Sequence, residues 1–474
     1  MNRTIKLYIT GGALFLLAGC ASMAPKYTQP APPVPAAWPN GPAYKTEAAK
    51  AKEQKPLAEI PWQEFFVDPK LQKLISLSLD NNRDLRVAVL NMDRFRALYQ
   101  VRRADLLPQV NASGGASFQR ISDDLSNSGN GATVHQYDVG IGISSYEVDL
   151  FGRVRSLKDQ ALDQYLSTEQ ARRSVQITLV SQVATAYLTL GSDLERLQLA
   201  RNTLVNQQES YKLSKSRFDA GVASALDIQQ AQTSVDAARV DISRFTTLVA
   251  QDLNALNLVV GSNAAEDLLP RSLSDNLTPL KDVAPGLPSD VLLQRPDILQ
   301  AEYNLKGASA NIGAARAAFF PRITLTTSVG FGSDQLTGLF NPGNFAWSFL
   351  PRISVPIFEG GRNKANLQVS EVDRDIAVAQ YEKAIQIAFR EVADALAQRG
   401  TIDEQVAAQQ SLTGATAESF RLSLARYETG IDSYLSVLDA QRSLYAAQQN
   451  LITARLIRLN NQVTLYKVLG AGAK

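Results

Sequence analysis

Few side chains in this sequence are able to do chemistry. The chain of 474 residues holds one Cys, Cys20, and one His, His135, against 48 basic and 46 acidic residues. A single thiol and a single imidazole exclude a Cys/His zinc site and an internal disulfide. His135 falls in a predicted hairpin with no nucleophile motif, Walker loop or metal-ligand spacing around it, so no enzyme is expected. Gly140-Ile141-Gly142 lies within a predicted strand, not at a strand-to-helix turn, and is no nucleotide fingerprint. A formal net charge of +2 argues against a nucleic-acid partner, which needs a basic surface. Asp439 and Arg442 stand three positions apart on a predicted helix, where an intrahelical ion pair is the plainer reading.

The lone sulfur has a telling position. Arg3 and Lys6 precede an apolar stretch, Leu7 to Ala18, too short to span a bilayer permanently, and Leu17-Ala18-Gly19-Cys20 closes it. This resembles a bacterial lipoprotein signal peptide with its lipobox. The resemblance implies that residues 1–19 are cleaved, that Cys20 is acylated, and that a mature chain of formal charge zero follows. Ala21 and Ser22 in place of Asp imply sorting to the outer membrane. Apart from this covalent lipid no cofactor and no metal is expected. No other segment has eighteen uninterrupted apolar residues. Residues 20–61, with Pro30-Ala31-Pro32-Pro33-Val34-Pro35, read as an extended lipidated tether or as plain disorder.

The body reads as two copies of one unit. Arg217-Phe218-Asp219-Ala220-Gly221 matches Arg426-Tyr427-Glu428-Thr429-Gly430 at an offset of 209, and Leu107-Pro108-Gln109-Val110 matches Phe320-Pro321-Arg322-Ile323 at 213. Repeat 1 is placed at 62–261, a linker at 262–288 and repeat 2 at 289–474. Each repeat has the order helix, β-hairpin (109–149 or 322–358), long helix, return helix. The first helix is predicted over 69–106, with Pro108 stopping it. Tyr137, Val139, Ile141 and Ile143 then alternate with polar or small residues, as a strand with one apolar face does. From Arg153 to Phe218 no Pro occurs, and Val183, Leu190, Leu197, Leu204, Tyr211 and Phe218 recur every seventh residue, the spacing of a coiled coil. Gly221 and Gly430 break the long helices at tight turns. Pro108 and Pro321 mark helix-to-strand bends, and Gly152, Gly360 and Gly361 strand-to-helix bends.

Four strands, each about ten residues and so long enough to cross a bilayer at a tilt, cannot close a barrel by themselves. Open edges are not tolerated in lipid, so two or three chains must combine. The lipobox, Tyr146-Glu147-Val148-Asp149-Leu150-Phe151-Gly152-Arg153, Gln294-Arg295-Pro296-Asp297, Asn311-Ile312-Gly313-Ala314-Ala315-Arg316 and Leu438-Asp439-Ala440-Gln441-Arg442-Ser443 resemble the outer-membrane factors of the TolC/OprM family, most closely its lipidated branch. The resemblance implies a mixed α/β membrane protein: a homotrimer with a 12-stranded outer-membrane β-barrel continuing into a 12-helix periplasmic α-barrel. It implies an exit duct for drugs and small amphiphiles, working with a periplasmic adaptor (membrane fusion protein) and an inner-membrane pump of the resistance-nodulation-division type. By motif match it places a periplasmic gate at Leu435, Asp439 and Arg442. Adaptor-docking tips fall at Arg217, Gly221, Ser224, Arg426, Gly430 and Ser433. The alternatives weighed are a lipid-anchored periplasmic coiled-coil scaffold and a type I protein-secretion duct.

Overall fold

A computed structural model of the chain describes residues 22–44, 60–126, 129–273 and 289–471. The signal peptide, Cys20, residues 45–59 of the tether and residues 274–288 of the linker lie outside the described residues. In chain order the elements are α1 (Trp62–Phe65), α2 (Pro69–Asn81), α3 (Arg83–Ala104), β1 (Val110–Ile121), β2 (Ala132–Val148), α4 (Arg153–Asp219) and α5 (Ala225–Val260). After the linker come α6 (Pro296–Ala317), β3 (Arg322–Ser333), β4 (Phe345–Ser354), α7 (Arg362–Glu428) and α8 (Tyr434–Val468). Both long helices, α4 and α7, have 67 residues.

One expectation is corrected. The helix predicted over 69–106 is two helices, because Asn82 leaves helical geometry at φ −65°, ψ 134°. Its Oδ1 accepts from Leu85 N at 3.0 Å, capping α3, and its Nδ2 donates to Val259 O at 2.9 Å. A short polar side chain that satisfies the free amide of a new helix start makes the break stable. The helix also ends at Ala104, before Pro108, and two turn hydrogen bonds at Leu106 and Leu107 fill the gap.

The strands form one antiparallel sheet in the order β1-β2-β3-β4. Registers such as Phe118↔His135, Val139↔Phe331 and Phe331↔Phe345 put Phe118, Tyr137, Val139, Ile141, Val329, Trp347 and Phe349 on one face. The other face carries Ser113, Gly115, Ser117, Gly140, Gly142, Ser328, Gly330 and Ser348. A side-chain period of two separates the faces, with polar exceptions such as Arg120 and Thr327 on the first and apolar ones such as Ile121, Val134 and Leu350 on the second. Beyond Ile143 the β2–β3 register shifts, and Ser145 takes φ 60°. This bulge adds one residue to β2, so that Tyr146 and Val148 return to the apolar face opposite Leu325 and Ile323.

The chain divides into two compact units. One takes in the N-terminal segment up to Pro30, Met92–Thr168 and Gln300–Tyr381, and so holds the sheet. In it, the segment read as a tether is docked. The Ser22 and Ser156 hydroxyls meet at 3.1 Å, Tyr27 donates to Glu302 at 3.1 Å, and Gln29 donates to the Tyr381 hydroxyl at 2.9 Å. Gly313 makes room for it: a Cβ there would stand 2.6 Å from the Ala24 amide.

The other unit takes in Ala31–Asn91, Glu169–Leu299 and Glu382–Lys474. Trp38 stacks on Phe389 at 4.9 Å, and Phe65 and Phe66 pack on Tyr466. Along the heptad stripe Val183, Leu190 and Leu197 are buried, Leu204 and Tyr211 half-buried, and Phe218 exposed. Arg295 of the Arg-Pro-Asp motif is buried, donating to Asp297 at 3.0 and 2.7 Å, to Glu391 at 2.9 Å and to Val468 O at 2.6 Å. A guanidinium removed from water is held by such a full set of acceptors.

Candidate conduit, gate and tips

The candidate positions fall in three groups, the first where strands meet helices. Gly152 has φ 74°, and Gly360 and Gly361 have φ 56° and 86°, each just ahead of a long helix. L side chains are strained in that left-handed region, so glycine makes these bends. Pro321 directly precedes β3, and Pro108 stands two residues before β1. Sequence reasoning missed the clamp beside them. Glu147 at the end of β2 takes a forked pair of bonds from Arg153 at 2.8 and 2.7 Å and an ion pair from Arg322 at 2.6 Å. It thus ties β2, β3 and α4 at one junction with charge-assisted bonds. Phe151 stacks on Phe320 at 4.9 Å beside it. The only advance signal was an acidic–basic spacing that any surface pair also has.

At the start of α8, Leu435, Asp439 and Arg442 lie at i, i+4 and i+7, and all three are exposed. Tyr434, Val437, Leu438 and Gln441, the adjoining stripe, are buried. Tyr434, Val437 and Leu438 form a core with Ala231 and Tyr427. Burial beside Tyr427 pushes the Tyr434 hydroxyl up to about 12. The helix is therefore anchored along one stripe and presents the three candidate gate residues on the exposed flank beside it. The intrahelical Asp439–Arg442 ion pair read from the sequence is absent among the described residues.

The tips follow from the two turns. Gly221 and Gly430 have φ 74° and 77°, and a Cβ at either would meet nothing within 4 Å. Backbone geometry, not crowding, demands glycine there. Ser224 caps α5 through a reciprocal box with Asp227, whereas Ser433 precedes α8 without a side-chain cap bond. Arg426 forks onto Asp432 at 2.6 and 3.0 Å and holds its carboxyl below the usual range. Arg217 donates to Tyr427 O at 3.2 Å, and its guanidinium lies 4.6 Å from the centre of the Tyr427 ring. Thus Arg217 of one turn is bound to the base of the other. His135 packs edge-on against Phe118 at 5.2 Å in the β1–β2 pair.

An amphipathic sheet feeding long helices defines a class, the channel-forming proteins of the outer membrane. Comparison with known proteins narrows it: the family described as outer membrane efflux protein matches residues 74–262 and 287–471. The chain is 50% identical over 459 residues to the antibiotic efflux pump outer membrane protein ArpC of Pseudomonas putida and to the toluene efflux pump outer membrane protein TtgC of the same species. Each match covers 97% of this chain and 94% of the relative. A crystal structure of a membrane protein from Pseudomonas aeruginosa superposes with a TM-score of 0.88 at 43% identity, over 95% of this chain and all of that one. The chain belongs to the outer membrane efflux protein family. It is an outer-membrane efflux channel, a transport protein and not an enzyme.

Proposed function

We propose that this chain assembles as a homotrimer whose twelve strands close one outer-membrane barrel over a twelve-helix periplasmic tunnel. The observation that carries this reading is the four-stranded sheet with an apolar face, a small polar face and two open edges, in a chain whose long helices are 67 residues each. Lipid demands an apolar exterior and closed edges, and an aqueous lumen demands polar interior residues. The matching order of elements in the two halves supports two repeats, at 62–261 and 289–474, joined by the 262–288 linker.

Cys20 carries the lipid in this reading. Ser22, two residues on, bonds to Ser156 near the start of α4, and Arg316 near the end of α6 donates to Met23 O at 3.4 Å. Both partners adjoin strands, so acyl chains two residues away enter the bilayer at the level of the barrel. Pro108, Gly152, Pro321, Gly360 and Gly361 make the bends from barrel to tunnel.

Leu435, Asp439 and Arg442 form the resting gate: three copies of an exposed stripe meet at the tunnel's narrow end, and opening separates them. The tips at Arg217, Gly221, Ser224, Arg426, Gly430 and Ser433 dock a periplasmic adaptor, which couples the duct to an inner-membrane resistance-nodulation-division pump. Drugs and small amphiphiles are the cargo, as the antibiotic and toluene efflux names of the relatives support. The test places a Cys at Ser433, the only free thiol once Cys20 is acylated, and couples a short photocrosslinker to it in the periplasm. Capture of a drug-pump adaptor is expected. Capture of a protein-secretion adaptor would change the cargo class, and no capture from an intact trimer would refute tip docking.

A further inference from the structure

The face of the sheet that carries small polar residues also carries a few charges, and they are unevenly paired. By register that face holds Asp138 and Glu147 on β2, Arg322 on β3 and Arg352 on β4. Glu147 and Arg322 are bound to each other at 2.6 Å. Asp138 and Arg352 are exposed, and neither side chain makes a hydrogen bond or ion pair among the described residues. A charge without a partner is tolerated on a protein wall only where water reaches it.

The neighbours of these two side chains leave them uncovered. Asp138 stands between Gly115 of β1 and Gly332 of β3, so no side chain flanks it in its row. Its carboxyl leans over Gly115, where a Cβ would lie 3.2 Å from Oδ1. Arg352 faces Thr324, and Glu147 on the far side of that residue is already held by Arg153 and Arg322. The two charges also lie at opposite ends of the strands. Asp138 is opposite Gly332 and Arg352 opposite Thr324, about eight residues or roughly 27 Å apart along β3 at about 3.4 Å each. Asp138 is at the hairpin end, where the loops add Asp123, Asp124 and Asp334, and Arg352 is at the end that leads into α7.

We propose that Asp138 and Arg352 form two rings of opposite sign on the lumen wall, acidic at the outer mouth and basic at the neck, and that these rings set the charge preference of the open duct. The inference rests on the trimeric barrel proposed above and adds what its wall selects. Twelve strands about 4.8 Å apart and tilted by about 40° enclose a barrel of about 12 Å radius, so each carboxylate comes within about 10 Å of the axis. That distance is one Debye length at about 0.1 M salt. Three carboxylates there favour a cation over an anion locally by roughly four-fold, and a long duct in series dilutes this to about two-fold overall. At about 1 M salt the Debye length is about 3 Å and the preference disappears. Small cationic cargo is thus drawn on to the outer mouth, and anions outside are turned back there.

Reversal potentials in planar bilayers, with about 0.1 M KCl on one side and a lower concentration on the other, test it. The background is the full-length protein with Leu435→Ala and Asp439→Ala, which takes the gate carboxylate out of the reading. In it, Asp138→Asn is expected to lower the K⁺ to Cl⁻ permeability ratio about two-fold and Arg352→Gln to raise it by about as much, while the two together return it close to the background value. Step size at about 1 M KCl should be the same in all of them, which shows that the barrel is intact. The control, Asp334→Asn in the loop beyond β3, should leave the ratio in place. Shifts in the same direction, or none, from variants with full steps would overturn the rings. An equal shift from the control would overturn the assignment to Asp138. Absence of steps from the background itself would overturn the duct on which the rings depend.

Discussion

At the scale of the residue, the account turns on a few side chains whose partners are now defined. Gly430 sits at φ 77° in open space, so Gly430→Val adds backbone strain of about 1–3 kcal/mol without a clash. The expected result is an intact trimer on native gels with reduced drug efflux; loss of the trimer would make the glycine structural only. Arg217→Ala removes a hydrogen bond and a cation–π contact to Tyr427, a loss of about 1 kcal/mol at each tip. The tips should loosen, read as faster proteolysis near residues 217–224 than in the parent. Asp163 offers a pH signature. Burial pushes its carboxyl up to about 6 against an ordinary 3.8, with Lys306 opposing and Asp159 adding to the shift. The folded state therefore binds more protons than the unfolded one between those values, and this group's favourable contribution is lost as pH rises through about 6. Thermal denaturation from pH 4 to 7 should show that decline in the parent and a smaller one in Asp163→Asn.

At the scale of the element, much was legible because periodicity is physical. The heptad of Val183, Leu190 and Leu197 and the alternation from Tyr137 to Ile143 announce a long helix and a half-apolar strand; the helix formed with its ends within a residue of expectation, whereas the strand, expected at about ten residues, runs to 17, Ala132–Val148. The break at Asn82 was not legible, since Asn is tolerated inside helices and its capping role depends on Val259, far away in sequence. The bulge at Ser145 was equally hidden: only the pairing partner on β3 reveals that β2 has one residue too many. Docking of residues 22–29 needed Gly313, Glu302 and Tyr381 from distant segments, and composition alone pointed to a tether. Of the candidate site, the turn glycines were readable from their type, while the Glu147 clamp and the burial beside Leu435 and Asp439 were not. Arg295 tests the element scale directly. Arg295→Ala leaves Glu391, Asp297 and a helix-end carbonyl without their donor, and should lower stability by about 2–4 kcal/mol in denaturant unfolding.

At the scale of the whole molecule, the chain is unfinished by itself. Its sheet has two raw edges, which water and lipid alike penalise unless they are paired, and an exposed apolar face, which water penalises and lipid accepts. The same surfaces make sense in a duct: apolar strands toward lipid, small polar residues toward a lumen, and long helices continuing the chain from them. Such a duct has to be shut when no pump is attached, or the periplasm would leak, and the exposed Leu435–Asp439–Arg442 stripe is the element proposed to shut it. The most direct test of this account is the conductance of the purified protein in planar bilayers, parent against Leu435→Ala/Asp439→Ala. The account predicts small, rare currents from the parent and large, persistent steps from the double variant. Silence from both forms, with trimers verified in the membrane, would contradict the duct itself.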